Sequence, residues 1–230
     1  TEAQQLLDSI NDYVLDELGI KLPELEDKMV YIVNYNEVKG KRIDAYYYQP
    51  KFEKVEKFLK GGKYEIEQLG KFIVDLKMGC SLPPDKRGVP EVPYILGKNL
   101  RHGYLDLSEL EYISNVNNEK FKSSIVHEND ILFSVRGAYI GKVAVVEKEI
   151  AGANIINNIV KITLSNKLNP RFVSAFLNSE IEQQLIYRDV WGGAQPGFTN
   201  ENIKSLKIPL PPLSVQDKIA EEVKSRMQKA

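Results

Sequence analysis

Residues 207–219, KIPLPPLSVQDKI, pass from an extended path into a helix within a few positions, and this passage sets the frame for the rest of the chain. Pro209, Pro211 and Pro212 fix φ and remove backbone donors, so the segment is extended and cannot lie in the middle of a sheet. Ser214 then stands at an N-cap with Asp217 three residues on, the spacing of a capping box with Asp in place of Glu. Val215, Ile219, Val223 and Met227 follow as one apolar stripe. Taken alone, this spacing describes any helix that closes a domain after a proline-rich loop.

The other end of the chain mirrors it. Leu7, Ile10, Val14 and Leu18 recur at three- and four-residue spacing and stop at Gly19, a natural C′ glycine. At 1.5 Å per residue the two stripes span ~16 and ~18 Å, so their lengths match. Either they pair antiparallel as a stalk or each packs on the body separately. Between them, residues 28–207 read mainly as strands, with apolar runs at 29–33, 92–96, 131–135, 143–146 and 158–164. A helix capped by Asn169, with Pro170 in its first turn, buries Val173, Phe176, Leu177, Ile181 and Leu185. A further helix covers about 50–60, and a short turn starts at Ser108 with Glu111 completing its box. The fold class is mixed α/β, strand-rich, flanked by two terminal helices.

Composition narrows the function classes. A chain of 230 residues with 43% hydrophobic side chains supports one core. No apolar run approaches the ~18 residues of a membrane span, and no leader precedes the first helix. The single cysteine, Cys80, makes no internal disulfide and fits a reducing cytoplasm. A beginning and an end in mid-helix predict a piece of a longer chain. Net charge is −1, but its distribution is uneven. Acidic side chains outnumber basic ones over residues 1–67, whereas Lys77, Lys86, Arg87, Lys98 and Arg101 face only Asp85 and Glu91 up to Tyr104.

Catalytic patterns are missing. The Pro-Pro pairs, LPPD at 82–85 and LPPL at 210–213, lack the amide before and the aromatic after that an adenine-methylating loop needs. Gly137 to Val143 is one residue short of a phosphate-cradling loop and has no Ser or Thr for magnesium. Glu26-x-Lys28 and Glu37-x-Lys39 have half of a nuclease metal signature but no upstream Asp to complete it. His102, His127 and one cysteine are too few for a metal cluster. The chain is expected to bind rather than catalyse, with no cofactor.

Six segments in order resemble the DNA-specificity subunits of Type I restriction-modification systems. KIPLPPLSVQDKI is similar to the P-L-P-P-L-x-x-Q-x-x-I start of a spacer helix, and TEAQQLLDSINDYVLDELGI at 1–20 to the far end of one. RIDAYYYQPKF (42–52) looks like the entry to the second target-recognition domain, and VPYILGKNLRHGY (92–104) like its first central strand and loop. NDILFSVRGAYIGKVAVV (129–146) is similar to the pattern G-D-I-L-x-S-x-x-G-x-x-G-K-x-A, with Asn129 for Gly and one extra residue between Gly137 and Gly141. GGAQPGF (192–198) matches the turn before the last strand.

The resemblance implies a target-recognition domain over 28–207, spacer-helix portions over 1–20 and 214–230, and sequence-specific binding of double-stranded DNA. It further implies partners, a methyltransferase (modification) subunit and a restriction subunit, directed to a split site and docked through Leu7, Ile10, Val14, Leu18, Val215, Ile219, Val223 and Met227. Two alternatives stay open: the same domain fused to an adenine methyltransferase and nuclease, and a protein-interaction module that uses the stalk.

Base edges are read by Arg, Lys, Asn and Gln, and phosphates by charge or hydroxyl. Candidates are therefore polar residues on loops between strands. They comprise Lys77, Ser81, Lys86 and Arg87 in the 77–90 connection, and Lys98, Asn99 and Arg101 after a strand. Arg136 and Tyr139 belong to the Val-Arg-Gly-Ala-Tyr turn, Asn154, Asn157 and Asn158 to an Asn cluster, and Tyr187, Arg188, Trp191 and Gln195 surround Gly192-Gly193. For the Asn cluster, turn chemistry is the competing account, and for Trp191 a place in the core. Arg136, a strand-end Arg followed by Gly, is expected to be exposed on a rigid element.

Overall fold

A computed structural model describes residues 2–190 and 197–229, with side chains from Gln5 onward other than Leu7 and Asp8. The chain opens with α1 (Glu2–Leu18), followed by Gly19 in the left-handed region at φ +65°. After α2 (Tyr35–Val38) and α3 (Pro50–Lys60) come β1 (Ile66–Gln68), β2 (Ile73–Met78), β3 (Val92–Ile95), β4 (Glu111–Ile113) and α4 (Asn115–Lys120). Then follow β5 (Ile131–Ser134), β6 (Val143–Val145), β7 (Asn154–Ile155) and β8 (Ile159–Leu164). Three helices, α5 (Pro170–Leu177), α6 (Glu180–Val190) and α7 (Asn200–Ser205), precede β9 (Lys207–Pro209) and α8 (Leu213–Lys229).

The central sheet has the order β2-β8-β5-β6 and is antiparallel throughout. A second sheet, β4-β3-β7, contains the parallel pair β3–β7, and β1 pairs with β9. The unbroken apolar run of β5 reflects burial on both faces. Ile131 and Phe133 enter the main core with the helices, while Leu132 enters a second core with Ile95, Val126 and Ile155.

The terminal helices form an antiparallel pair. Lys218 Nζ lies 2.8 Å from Glu17 at one end, and Arg226 donates to Ser9 Oγ at 2.9 Å at the other. Their stripes are not confined to the pair. Ile10, Val14, Leu18, Ile219 and Val223 belong to the same core as Phe133, Phe172 and Phe176, because α5 packs on both helices. Leu7 lies outside the described side chains; Val215 and Met227 pack at the margin of that core.

Four local expectations are corrected. Residues 29–33 form no strand, and Met29, Val30 and Ile32 are exposed, since no neighbouring strand edge meets them among the described residues. The helix from Asn169 breaks at Asn178, whose side-chain amide donates to the Val143 and Ser174 carbonyls, both at 2.8 Å, and competes with helix continuation. Ser214 does not cap. Helix α8 begins one residue earlier, the Pro212 carbonyl accepts from Val215 and Gln216, and Asp217 accepts from Asn169 Nδ2. Ser108 closes a turn on Asp106, while Glu111 opens β4 and pairs with Arg87.

Gly79 marks where β2 must pass the β7–β8 turn. A Cβ there would lie 2.2 Å from the Ile156 carbonyl oxygen and 2.4 Å from that of Ile155. Gly79→Ala should destabilise the domain by at least about 2 kcal/mol, since both obstacles are backbone. A urea midpoint unchanged from wild type would refute this close packing.

Candidate nucleic-acid interface

Strand register decides which loops meet. Met78 pairs with Val160, Ser134 with Ile159, and Ile95 with Ile155. The C-terminal ends of β2, β3 and β5 therefore lie beside the β7–β8 turn along one edge of the two sheets. Further backbone bonds tie the loops together. Gly79 N donates to Ile159 O at 2.9 Å, Val135 N to Asn158 O at 2.8 Å, and Phe198 N to Val135 O at 2.9 Å.

The Arg136 turn is closed by its backbone. Ser134 N donates to Lys142 O and Gly141 N to Ser134 O, and Gly137 and Gly141 adopt φ +81° and +85°. The extra residue between these glycines is absorbed in the turn, with both glycines in the conformation only they adopt freely. Asn129 likewise takes φ +70° where the family pattern has Gly, a region that Asn tolerates better than most residues. Tyr139 lies over the next loop: a Cβ on Gly97 would be 3.4 Å from its ring and 3.0 Å from Asn158 Nδ2.

Arg136 is exposed, its backbone bridges Gly197, and its guanidinium has no hydrogen-bond or ion-pair partner among the described residues. Ser81, Lys77 and Lys98 are at or near the same edge, with Lys77 3.4 Å from Asp75 and Lys98 3.4 Å from Glu109. Such solvated pairs are worth little and exchange readily for phosphate. Asn157 and Asn158 are half-buried in the turn beside them.

Other predicted residues are built into the fold. Asn99 is buried, accepts from Leu96 N and donates to the Asp106 carbonyl, so it shapes its loop. Asn154 is fully buried and bonded to Ser124, Asn118 and Phe121. Arg87 donates to the Leu82 carbonyl and to Glu111, with its guanidinium over the Tyr94 ring. Arg101 is half-buried against Asp106. Lys86 is exposed, and its carbonyl accepts from the Asn117 side chain of α4 at 3.4 Å.

Arg188 is 2.8 Å from Glu56 and 2.9 Å from Asp189, over the Tyr47 ring. That corrects its expected place on an exposed loop. Tyr187 is on α6, at the border of exposure. Trp191, Gln195 and most of the GGAQPGF turn lie outside the described residues.

Sequence reasoning missed the charged cluster around Arg188. Burial pushes Glu56 up, but hydrogen bonds from Lys207 and Arg188 outweigh it and hold the carboxyl below its usual range. Glu182 beside them is fully buried, and its Oε2 has no partner among the described residues. Burial pushes its pKa up to about 8. No local pattern flags such a residue, because Glu182 looks like any polar position of an amphipathic helix. No group of three or more His, Cys, Asp or Glu side chains among the described residues could hold a metal ion, and no helix there is long and apolar enough to cross a membrane.

Two sheets gather their loops along one edge and are clasped by helices from both ends of the chain. Residues 63–226 match the family described as Type I restriction modification DNA specificity domain, and the chain belongs to that family. It is 29% identical over 126 residues to the Type I restriction enzyme EcoBI specificity subunit of Escherichia coli, covering 54% of this chain and 26% of that protein. It is 26% identical over 179 residues to the MjaVIII specificity subunit of Methanocaldococcus jannaschii, covering 77% and 39%. The HsdS subunit from Thermoanaerobacter tengcongensis shares the fold, with TM-score 0.55 and 14% identity over 99% of this chain and 44% of that one. The Type I S subunit from M. genitalium does so at TM-score 0.53 and 14% identity, over 99% and 51%. The chain thus spans from about a quarter to about half the length of these relatives.

Proposed function

We propose that this chain is a target-recognition module that reads one part of a split site in double-stranded DNA. The observation that carries the reading is the register-fixed loop edge with Arg136 on it, exposed and without a side-chain partner among the described residues. Arginine presents a planar fork that matches the guanine major-groove edge, and a rigid strand end holds it at low entropic cost. Lys77, Ser81, Lys98, Tyr139 and Asn157 supply surrounding contacts, and Lys86 an outlying phosphate contact.

Residues 28–207 form the recognition domain in this reading, with 1–20 and 214–230 as spacer-helix portions. The helix pair docks a methyltransferase subunit, and a restriction subunit joins that assembly, so chemistry on DNA belongs to partners and this module needs no cofactor. The named relatives, all specificity subunits of Type I restriction enzymes, support this division. Its setting is the cytoplasm, where the buried Cys80 thiol stays reduced.

The test is binding to matched and scrambled duplexes, obtained by selection from a randomised pool, across a salt series. Arg136→Ala should lose roughly 1 to 3 kcal/mol on the matched site and relax preference at one base position, with little change on scrambled DNA. Lys86→Ala should weaken both duplexes alike and reduce the salt slope by about one unit. Equal losses on both duplexes for Arg136→Ala would make it a phosphate contact, and a wild-type chain that selects no sequence would refute the reading.

A further inference from the structure

Arg101, His102 and Lys142 meet at a cavity of about 330 Å³ between the loop edge and the helix pair. Ile10 and Asn11 of α1 and Met227 of α8 form one side, and no Asp or Glu among the described residues lines it. Lys142 has no ion-pair partner among those residues; its ammonium lies 5.0 Å from the Tyr139 ring centroid. Arg101 is locked by Asp106 at 2.9 Å and by the Lys98 carbonyl, so it supplies a fixed positive field.

The rest of the site is rigid as well. The Asn178 amide is oriented by its bonds to Val143 and Ser174, which turns its Oδ1 toward His102 Nδ1 at 3.2 Å. Nδ1 is therefore the donor there and Nε2 the other ring nitrogen. Gly103 N donates to Val143 O at 2.9 Å, and a Cβ on Gly103, at φ +92°, would lie 2.1 Å from Met227 Cε. The 101–104 loop is thus pressed between β6 and the end of α8.

Arg101 has Asp106 as its counter-charge, whereas Lys142, half-buried at the cavity wall, has no carboxylate partner among the described residues. Burial, and then the nearby Arg101, lower the pKa of Lys142, so an arriving anion gains what the empty site forgoes. We propose that this cavity binds a phosphate group, with Lys142 as its direct charge partner and Arg101 as the field behind it. Phosphate fits because its several acceptor oxygens can take the donor hydrogens of the Lys142 ammonium, which no carboxylate among the described residues engages. The group is carried either by the DNA backbone, which rests on the recognition reading above, or by a free phosphate compound. In both cases it touches the loop edge and the helix pair at once.

The experiment has two arms. Inorganic phosphate is titrated against the chain at constant ionic strength by calorimetry, and random duplex is titrated across a salt series. Wild type should bind phosphate saturably, Lys142→Gln at least about tenfold more weakly, and Lys142→Arg should restore binding, which separates loss of charge from loss of fold. A salt slope smaller by about one unit in Lys142→Gln identifies the DNA backbone as the source. An unchanged slope with lost phosphate binding identifies a free phosphate compound. Lys142→Gln indistinguishable from wild type in both arms overturns the proposal. A wild-type chain that binds phosphate through Lys142 but no duplex removes the DNA reading and leaves the cavity standing.

Discussion

Replacing both Ile10 and Ile219 by Asp should unfold the whole domain rather than only loosen the helix pair. Both side chains lie in the core that holds Phe133, Phe172 and Phe176, Ile219 fully buried and Ile10 nearly so. An unpaired charge at such a position costs on the order of several kcal/mol, and domains of this size have roughly 5 to 15 kcal/mol in total. Two such substitutions exhaust most of that margin. A paired stalk that stood clear of the domain would let residues 28–207 stay folded without it; the shared core predicts the opposite. Circular dichroism melting of the double variant decides the matter. A cooperative transition within a few degrees of wild type would show that the helices contribute nothing to the core.

Glu182→Gln should make the protein more stable in mild alkali and flatten its pH dependence. The sign follows from linkage. The folded pKa of Glu182 is pushed up to about 8 from an ordinary 4.5, chiefly by burial. Folding therefore retains a proton that the unfolded chain releases, and the contribution is fully present below the unfolded value. It is lost progressively as pH rises from about 4.5 to about 8, an effect on the order of 4 kcal/mol for a fully buried carboxyl. Glutamine carries no titrating proton, so the variant should gain on wild type across that window and hold a constant advantage above it. Urea unfolding of both proteins at pH 5.5, 7 and 8.5 measures the difference, and parallel curves at all three would sink the argument. The neighbours Arg188, Lys207 and Glu56 act on the Glu182 charge, and their effect is contained in its raised pKa.

What the sequence disclosed was what local pattern controls. Strands β5 and β6 were legible because side chains buried on both faces leave apolar runs, and β8 because four of its six residues are apolar around Lys161 and Thr163. Helix α5 was legible because Asn169 and Pro170 mark its start, and the N-cap bonds form, with Asn169 Oδ1 accepting from Arg171 N at 2.9 Å. The run at 29–33 has equal apolarity and no partner strand among the described residues, and pairing is a property that no window of sequence contains. Ser214 and Asp217 had the spacing of a box, but the carbonyl of Pro212 had already taken the first amides. The site divides in the same way. Arg136 was legible because a Gly follows it at the end of a buried strand. Asn99, Asn154 and Arg188 carry equally suitable chemistry, yet Asn99 is turned into its own loop, and residues distant in the chain engage Asn154 and Arg188. Lys142 escaped notice because nothing local reveals that Arg101 and Met227 stand beside it.

The common core of the helix pair and the sheets also determines what can be exchanged between proteins of this kind. A graft cut at Gly19 and Pro209 would transplant the loop edge but leave behind Ile10, Val14, Leu18, Ile219 and Val223, stripping one side of α5 and opening the interior to water. The unit that can be shuffled intact is the domain together with both flanking helices. Crossovers that keep this fold are therefore expected to leave Ile10 through Val223 on one side of the exchange, rather than to fall at the neat loop boundaries nearest the strands.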